Sequence, residues 1–263
     1  KNFETPHINL PILAYSCKID HLLSGKEIKN LELEHNIPRV NILMSEWCNQ
    51  GTLKTFLKQL SKEQKKLYFP NIAFQIIYTL MVIQNKYPSY RHNDLSDNNI
   101  LVYRLNKPEN YIYQIEKNSD SYFYLLENCP FQLRLWDFDF SCIRGMVDNL
   151  KVLDFDLQQG ITDKPNKYYD LGTIFSWLYL GHFKNLTEDI ELFFDSILNY
   201  FDFKDPNQFD KEYYRPLIQK EFTTPKKVIE ESFKDSKHLF HSLLIKEKNI
   251  YFNKIEEKYF VKI

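Results

Sequence analysis

The stretch that most limits what this chain can fold into is Arg91-His-Asn-Asp-Leu-Ser-Asp-Asn-Asn99, polar at every position except Leu95 and held between two apolar segments. Upstream, Phe69, Ile72, Ala73, Ile76, Ile77, Leu80 and Ile83 recur at helical spacing and predict an amphipathic helix that ends before Pro88. Downstream, Ile100-Leu-Val-Tyr103 reads as a strand. A polar loop pinned between a helix and a strand presents its side chains from fixed positions, which is where binding and catalytic groups concentrate. Taken alone, the segment also fits an ordinary polar loop in which His92 caps a turn.

The remaining pattern predicts a mixed α+β chain. Residues 8–15 and 40–47 read as short strands, and Asn49-Gln-Gly51 breaks the pattern before Leu53, Phe56, Leu57 and Leu60 resume helical spacing. Residues 105–132 are polar and aromatic with little periodicity and read as an insertion that enlarges the hairpin between the flanking strands, and that leaves the loops on either side intact if it loops outward between them. Leu133–Trp136 predicts another strand, 139–166 a long loop, and Tyr168–Leu180 an apolar helix followed by helices and loops. Lys62, Lys65 and Lys66 read as a solvated helix face.

The polar loop and the strand after it resemble the catalytic loop of the protein-kinase superfamily, H-R-D-L-x-x-x-N followed by an apolar strand, at His92, Asp94, Leu95 and Asn99. Leu133-Arg-Leu-Trp-Asp-Phe-Asp-Phe-Ser141 resembles the strand and metal loop D-F-G, with Asp139 in the glycine's place. Asn41-Ile-Leu-Met-Ser-Glu-Trp-Cys-Asn-Gln-Gly-Thr-Leu53 resembles the hinge, and Tyr168-Tyr-Asp-Leu-Gly-Thr-Ile-Phe-Ser-Trp177 the central helix of the large lobe. The segments stand in the family's chain order, and their details are most similar to divergent serine/threonine kinases of large DNA viruses. The skew toward Lys, Asn, Ile, Tyr and Phe, with only Ala14 and Ala73 as alanines, agrees with an AT-rich genome.

The resemblance implies a kinase-like fold: residues 1–48 as the remnant of a truncated small lobe with the hinge, and 49–263 as a mainly helical large lobe carrying the 105–132 insertion. It implies phosphoryl transfer from ATP to protein Ser/Thr hydroxyls, with Asp94 as base and Asn99 and Asp137 as Mg²⁺ ligands. Ser45 would be the gatekeeper, Glu46 and Cys48 would offer backbone groups to adenine, and Leu101 would pack beneath the ring. His92, Phe138 and Asp170 would be structural supports, with Asp170 binding the backbone of the catalytic loop. Asp139 would tolerate fewer conformations than glycine or add a second carboxylate. Asn93 replaces the arginine that receives an activating phosphate, so phosphorylation of Ser141 or Thr162 is expected to be dispensable. Ser96 stands where many serine/threonine kinases carry a lysine, and no A-P-E precedes Tyr168.

No G-x-G-x-x-G-x-V and no V-A-I-K lysine occurs in these 263 residues, so the groups that grip the ATP phosphates lie upstream or are missing. Two rival readings therefore stand beside the protein kinase: a pseudokinase or structural virion protein on the same scaffold, and a small-molecule kinase of the choline or aminoglycoside type. A net charge of −1 shows none of the basic excess of a nucleic-acid binder. No apolar run reads as a membrane span or signal peptide. Cys17, Cys48, Cys129 and Cys142 fit neither a zinc site nor a disulfide framework. The expected partners are a protein substrate and other virion proteins, with an intracellular (host cytoplasm) or virion location.

Overall fold

The computed structural model describes residues 5–18, 39–154, 160–200, 202–217, 219–245 and 257–262. Helices and strands are both abundant, an α+β composition. Cα proximity divides the chain into two units, residues 9–47 and residues 1–8 with 48–263.

In the smaller unit, β1 (Pro11–Lys18) pairs antiparallel with β2 (Arg39–Ser45), Ala14 lying opposite Leu43. The pairing is extended by Glu46, whose N–H donates to Leu10 O at 3.2 Å while its carboxylate accepts from Leu10 N.

The larger unit is built around α2 (Lys62–Lys86), which follows the short α1 (Leu53–Gln59). The start of α2 is set by a reciprocal capping box: Gln64 N donates to Ser61 Oγ, and Ser61 N donates to Gln64 Oε1. The helix therefore begins seven residues earlier than the apolar spacing predicts and runs through Pro70. It ends at Lys86, before Pro88, as expected. It is not one-faced. Ile72 through Gln84 are all buried, so this is a central helix with protein on every side. That corrects a second expectation. On length and composition alone α2 is apolar enough to cross a membrane, but 72% of its most apolar window is buried inside the protein.

After β3 (Tyr90–Arg91) come β4 (Ile100–Lys117) and β5 (Asp120–Leu135), an antiparallel hairpin from Ile100↔Leu135 to Lys117↔Asp120 whose register shifts between Arg104 and Tyr111. Asn118 and Ser119 both have positive φ, 50° and 71°, the backbone a two-residue hairpin turn requires. Residues 105–132 thus enlarge the hairpin as expected, but as strands packed on the core and not as an outward loop. Tyr111, Tyr113, Ile115, Tyr124, Leu126, Cys129 and Phe131 are buried in the same core as α2. The opposite face carries Ile112 and Phe123, covered by Leu125 and Ile245. The sheet is widened by β9 (Leu244–Ile245) beside β5 and by β10 (Glu257–Lys262) parallel to β4.

The segment after β5 holds β6 (Cys142–Ile143), which pairs with β3, and α3 (Leu150–Asp154). Then follow α4 (Tyr169–Leu178), a π turn (Tyr179–Phe183), α5 (Glu188–Leu198), the two-residue strands β7 (Phe209–Asp210) and β8 (Arg215–Pro216), and α6 (Pro225–Ser232). Among the described side chains Cys48, Cys129 and Cys142 are buried free thiols.

Candidate active site

The loop between α2 and β4 is held from below by α4. Asp170, fully buried in the first turn of that helix, accepts from His92 N at 2.8 Å through Oδ2 and from Asn93 N at 2.9 Å through Oδ1. Two charge-assisted bonds to consecutive N–H groups fix the backbone where Asn93 takes φ 65°, a left-handed conformation that asparagine tolerates better than most residues. The Asn93 side chain reaches the segment beyond β5: its Nδ2 donates to Phe140 O at 3.0 Å, and its Oδ1 accepts from Thr162 N at 3.4 Å.

Asp94 follows directly and is half-buried. Asn99 Nδ2 donates both to the Asp94 carbonyl, 2.7 Å, and to Asp94 Oδ2, 2.9 Å. Since the amide nitrogen is turned toward Asp94, Asn99 Oδ1 is left as an acceptor oxygen with no protein donor among the described residues. The hairpin then brings the second acidic loop alongside. Ile100 pairs with Leu135, Trp136 N donates to Asn99 O at 3.0 Å, and Asp137 is the next residue. The buried His92 ring closes the arrangement by donating from Nε2 to Trp136 O at 3.0 Å. Asp137 has φ 59°, a costly backbone state for a non-glycine residue, and among the described residues nothing hydrogen-bonds its carboxylate.

His92, Asp94, Asn99, Asp137 and Asp170 are therefore brought together by direct bonds or by the hairpin register. Phe138 is 37% exposed, with its ring 5.3 Å from that of His92. Asp139 differs from expectation. The left-handed residue of this turn is Asp137, and the exposed Asp139 carboxylate pairs with Lys151 at 2.7 Å. Of the expected adenine-binding positions, Cys48 and Leu101 lie in the larger unit. There Gln50 N donates to Val102 O and Val102 N to Gly51 O, laying the chain after the buried Cys48 along the start of β4. Glu46 lies in the smaller unit with Ser45, whose Oγ accepts from Asn9.

The unpaired Asn99 oxygen and the Asp137 carboxylate fit a hard, oxygen-seeking cation such as Mg²⁺, which takes one or two protein oxygens and fills its shell with phosphate and water. Among the described residues no three His, Cys, Asp or Glu side chains converge on a metal-sized site, so the protein supplies only part of a shell.

Three features were not found from the sequence. Arg215, 7% exposed, forms an ion pair from Nη2 to Asp94 Oδ1. Arg91 is completely buried, stacks 3.9 Å over the Tyr169 ring and donates to Gly160 O, Lys164 O and Gln219 Oε1. Asp97, inside the polar loop, meets His182 at 2.7 Å, both nearly buried. A chain with six arginines among 34 basic residues offers one clue: arginine is retained where a rigid, always-charged fork is needed. Nothing in the pattern pairs Arg215 with Asp94.

No protein-family model matches the chain. A search of curated proteins finds the "Putative serine/threonine-protein kinase" of Acanthamoeba polyphaga mimivirus, 30% identical over 266 aligned residues, which cover 90% of this chain and 57% of the relative. The chain thus spans a little over half the length of the protein it matches. With the aligned region running through the Asp94, Asp137 and Asp170 segments, the chain is a divergent, kinase-like relative of a giant-virus protein that carries a serine/threonine-kinase name.

Proposed function

We propose that this chain adopts a kinase-like fold and transfers the terminal phosphoryl group of ATP to Ser/Thr hydroxyls of a protein. The observation that carries the reading is the Asn99 amide. One side chain orients the Asp94 carboxylate through its nitrogen and leaves its oxygen available beside the Asp137 loop, so a base and a cation site share one support. The mimivirus relative's name gives independent support for the reaction class.

In this reading Asp94 accepts a hydrogen bond from the acceptor hydroxyl and takes its proton as the oxygen attacks phosphorus, while the bond to the ADP oxygen breaks. Asn99 and Asp137 would hold magnesium, which when bound neutralises phosphate charge. Asp170 and His92 keep both loops in register and touch no reactant. Chain around Cys48 and Leu101 would line the adenine site.

The test is magnesium-dependent transfer from γ-labelled ATP to a casein-like protein, with choline as the competing acceptor. Asp94→Asn is expected to lower turnover by about 10²–10⁴-fold, and Asp137→Ala to abolish the magnesium-dependent transfer. Transfer that both variants leave unchanged would refute the assigned roles. Labelling of choline but not protein would move the acceptor to the small-molecule class.

A further inference from the structure

We infer that Arg215 is a further catalytic residue of this site, a cation delivered by the β7–β8 strap to offset charge on the phosphoryl group in transit. This rests on the reading of Asp94 as the base. Among the described residues Arg215 is the cation ion-paired with Asp94, and Ser96, two positions past it, carries no charge. An attacking hydroxyl that gives its proton to Asp94 must lie within one hydrogen bond of the carboxylate, about 2.6–3.2 Å. The Arg215 guanidinium is bonded to that same carboxylate, so only the carboxylate separates it from the attacking oxygen. The phosphoryl group in transit carries negative charge spread over its three equatorial oxygens, beside that oxygen, as the new P–O bond forms and the bond to ADP breaks. The proton goes to Asp94 and ADP leaves. Arg215 exchanges neither proton nor electrons.

The contact does not block the base. An ionised carboxylate offers about four acceptor positions, and the bonds from Arg215 and Asn99 use one on each oxygen. Nor is the arginine on a loose arm. Leu217 N donates to Gln208 O at 2.8 Å, Gln219 Nε2 donates to Gly160 O at 3.2 Å, and Arg91 holds Gln219 Oε1 at 3.1 Å. The strap also sits hard against Gly160, where an added Cβ would fall 2.9 Å from Pro216 O and 2.8 Å from Tyr169. Anchored this way, Arg215 is a resident of the site and not a latch over it.

Arg215→Gln and Arg215→Lys separate charge from packing, since both can still donate to Asp94. With the protein kinase assay above, Arg215→Gln is expected to lower kcat about a hundredfold with KM for ATP nearly unchanged. Arg215→Lys should keep at least about a tenth of wild-type kcat. Should Arg215→Gln prove unfolded by its melting temperature, Arg215→Ala with added guanidinium ion makes the same comparison: rescue of turnover there, and none in Asp94→Asn, supports the role. A folded Arg215→Gln with wild-type kcat, equal losses in both variants, or no guanidinium rescue overturns it. A faster Arg215→Gln overturns it too, and makes the contact an inhibitory one. If wild-type protein transfers no phosphate to any acceptor, the proposed function fails, and this inference with it.

Discussion

His7 is buried between the core and β5, with its two ring nitrogens in different roles. Nδ1–H donates to Leu133 O at 3.0 Å, and Nε2 accepts from the Tyr113 hydroxyl at 2.8 Å. Burial, aided by the nearby Arg134 charge, pushes its pKa down to about 3, so the folded state holds it neutral. The unfolded chain binds a proton near pH 6.5, so the stability is full above that pH and is lost as pH falls toward 3, by at most about 1.4 kcal/mol per unit. His238, held down to about 4 chiefly by burial, acts in the same direction. Urea unfolding at pH 7 and 4.5 should therefore show a loss that His7→Gln reduces, and an unchanged loss would assign the acid sensitivity elsewhere. At the same scale, Asn93 ties Phe140 and Thr162 to the polar loop through its neutral amide, and Thr162 is buried. Ser141→Ala and Thr162→Ala are expected to leave turnover within about twofold of wild type, as fits a segment held without a phosphate. A large rate change in either would show that modification matters. The acidic and amide residues of the site were legible because each sits in a short, spaced pattern. Arg215 was not, because a lone arginine 121 residues from its partner leaves no local signal.

Among the elements, the β4–β5 hairpin was the hardest to read. A half-buried strand shows itself by apolar residues on alternate positions. Here Tyr111, Tyr113, Tyr124 and Leu126 face the main core while Ile112 and Phe123 join a second small cluster, so both faces are apolar and the alternation disappears. The central helix α2 escaped its true length for a related reason: capping residues, not apolar spacing, set its start. The two elements depend on each other. Tyr113 packs edge-on against Phe74 and Tyr78 of α2, and Tyr122 stacks 3.7 Å from Phe233, just past α6. Tyr113→Ala should cost about 3–5 kcal/mol in chemical unfolding, the range for emptying a large buried aromatic site. A loss under about 1 kcal/mol would mean the hairpin is an appendage after all.

For the molecule as a whole, the order of the motifs along the chain and the bond of Asp170 to the polar loop were readable, and the Arg215–Asp94, Arg91–Gln219 and Asp97–His182 links were not. The hairpin has a consequence for how such a site comes into being. Asp94 and Asp137 are far apart in the chain, but a two-residue turn and the antiparallel ladder that follows it, with its register shift between Arg104 and Tyr111, bring their loops together from Lys117 and Asp120 downward. Closure of that kind has low contact order and is fast, since each pair formed shortens the loop left to close. Asp170, 77 or 78 residues from its partners, and Arg215, 121 from its own, carry the entropy of long loops. The nascent chain can thus set its two acidic loops side by side before Asp170 and Arg215 have docked, which makes docking of the C-terminal half the last step in assembling the proposed site.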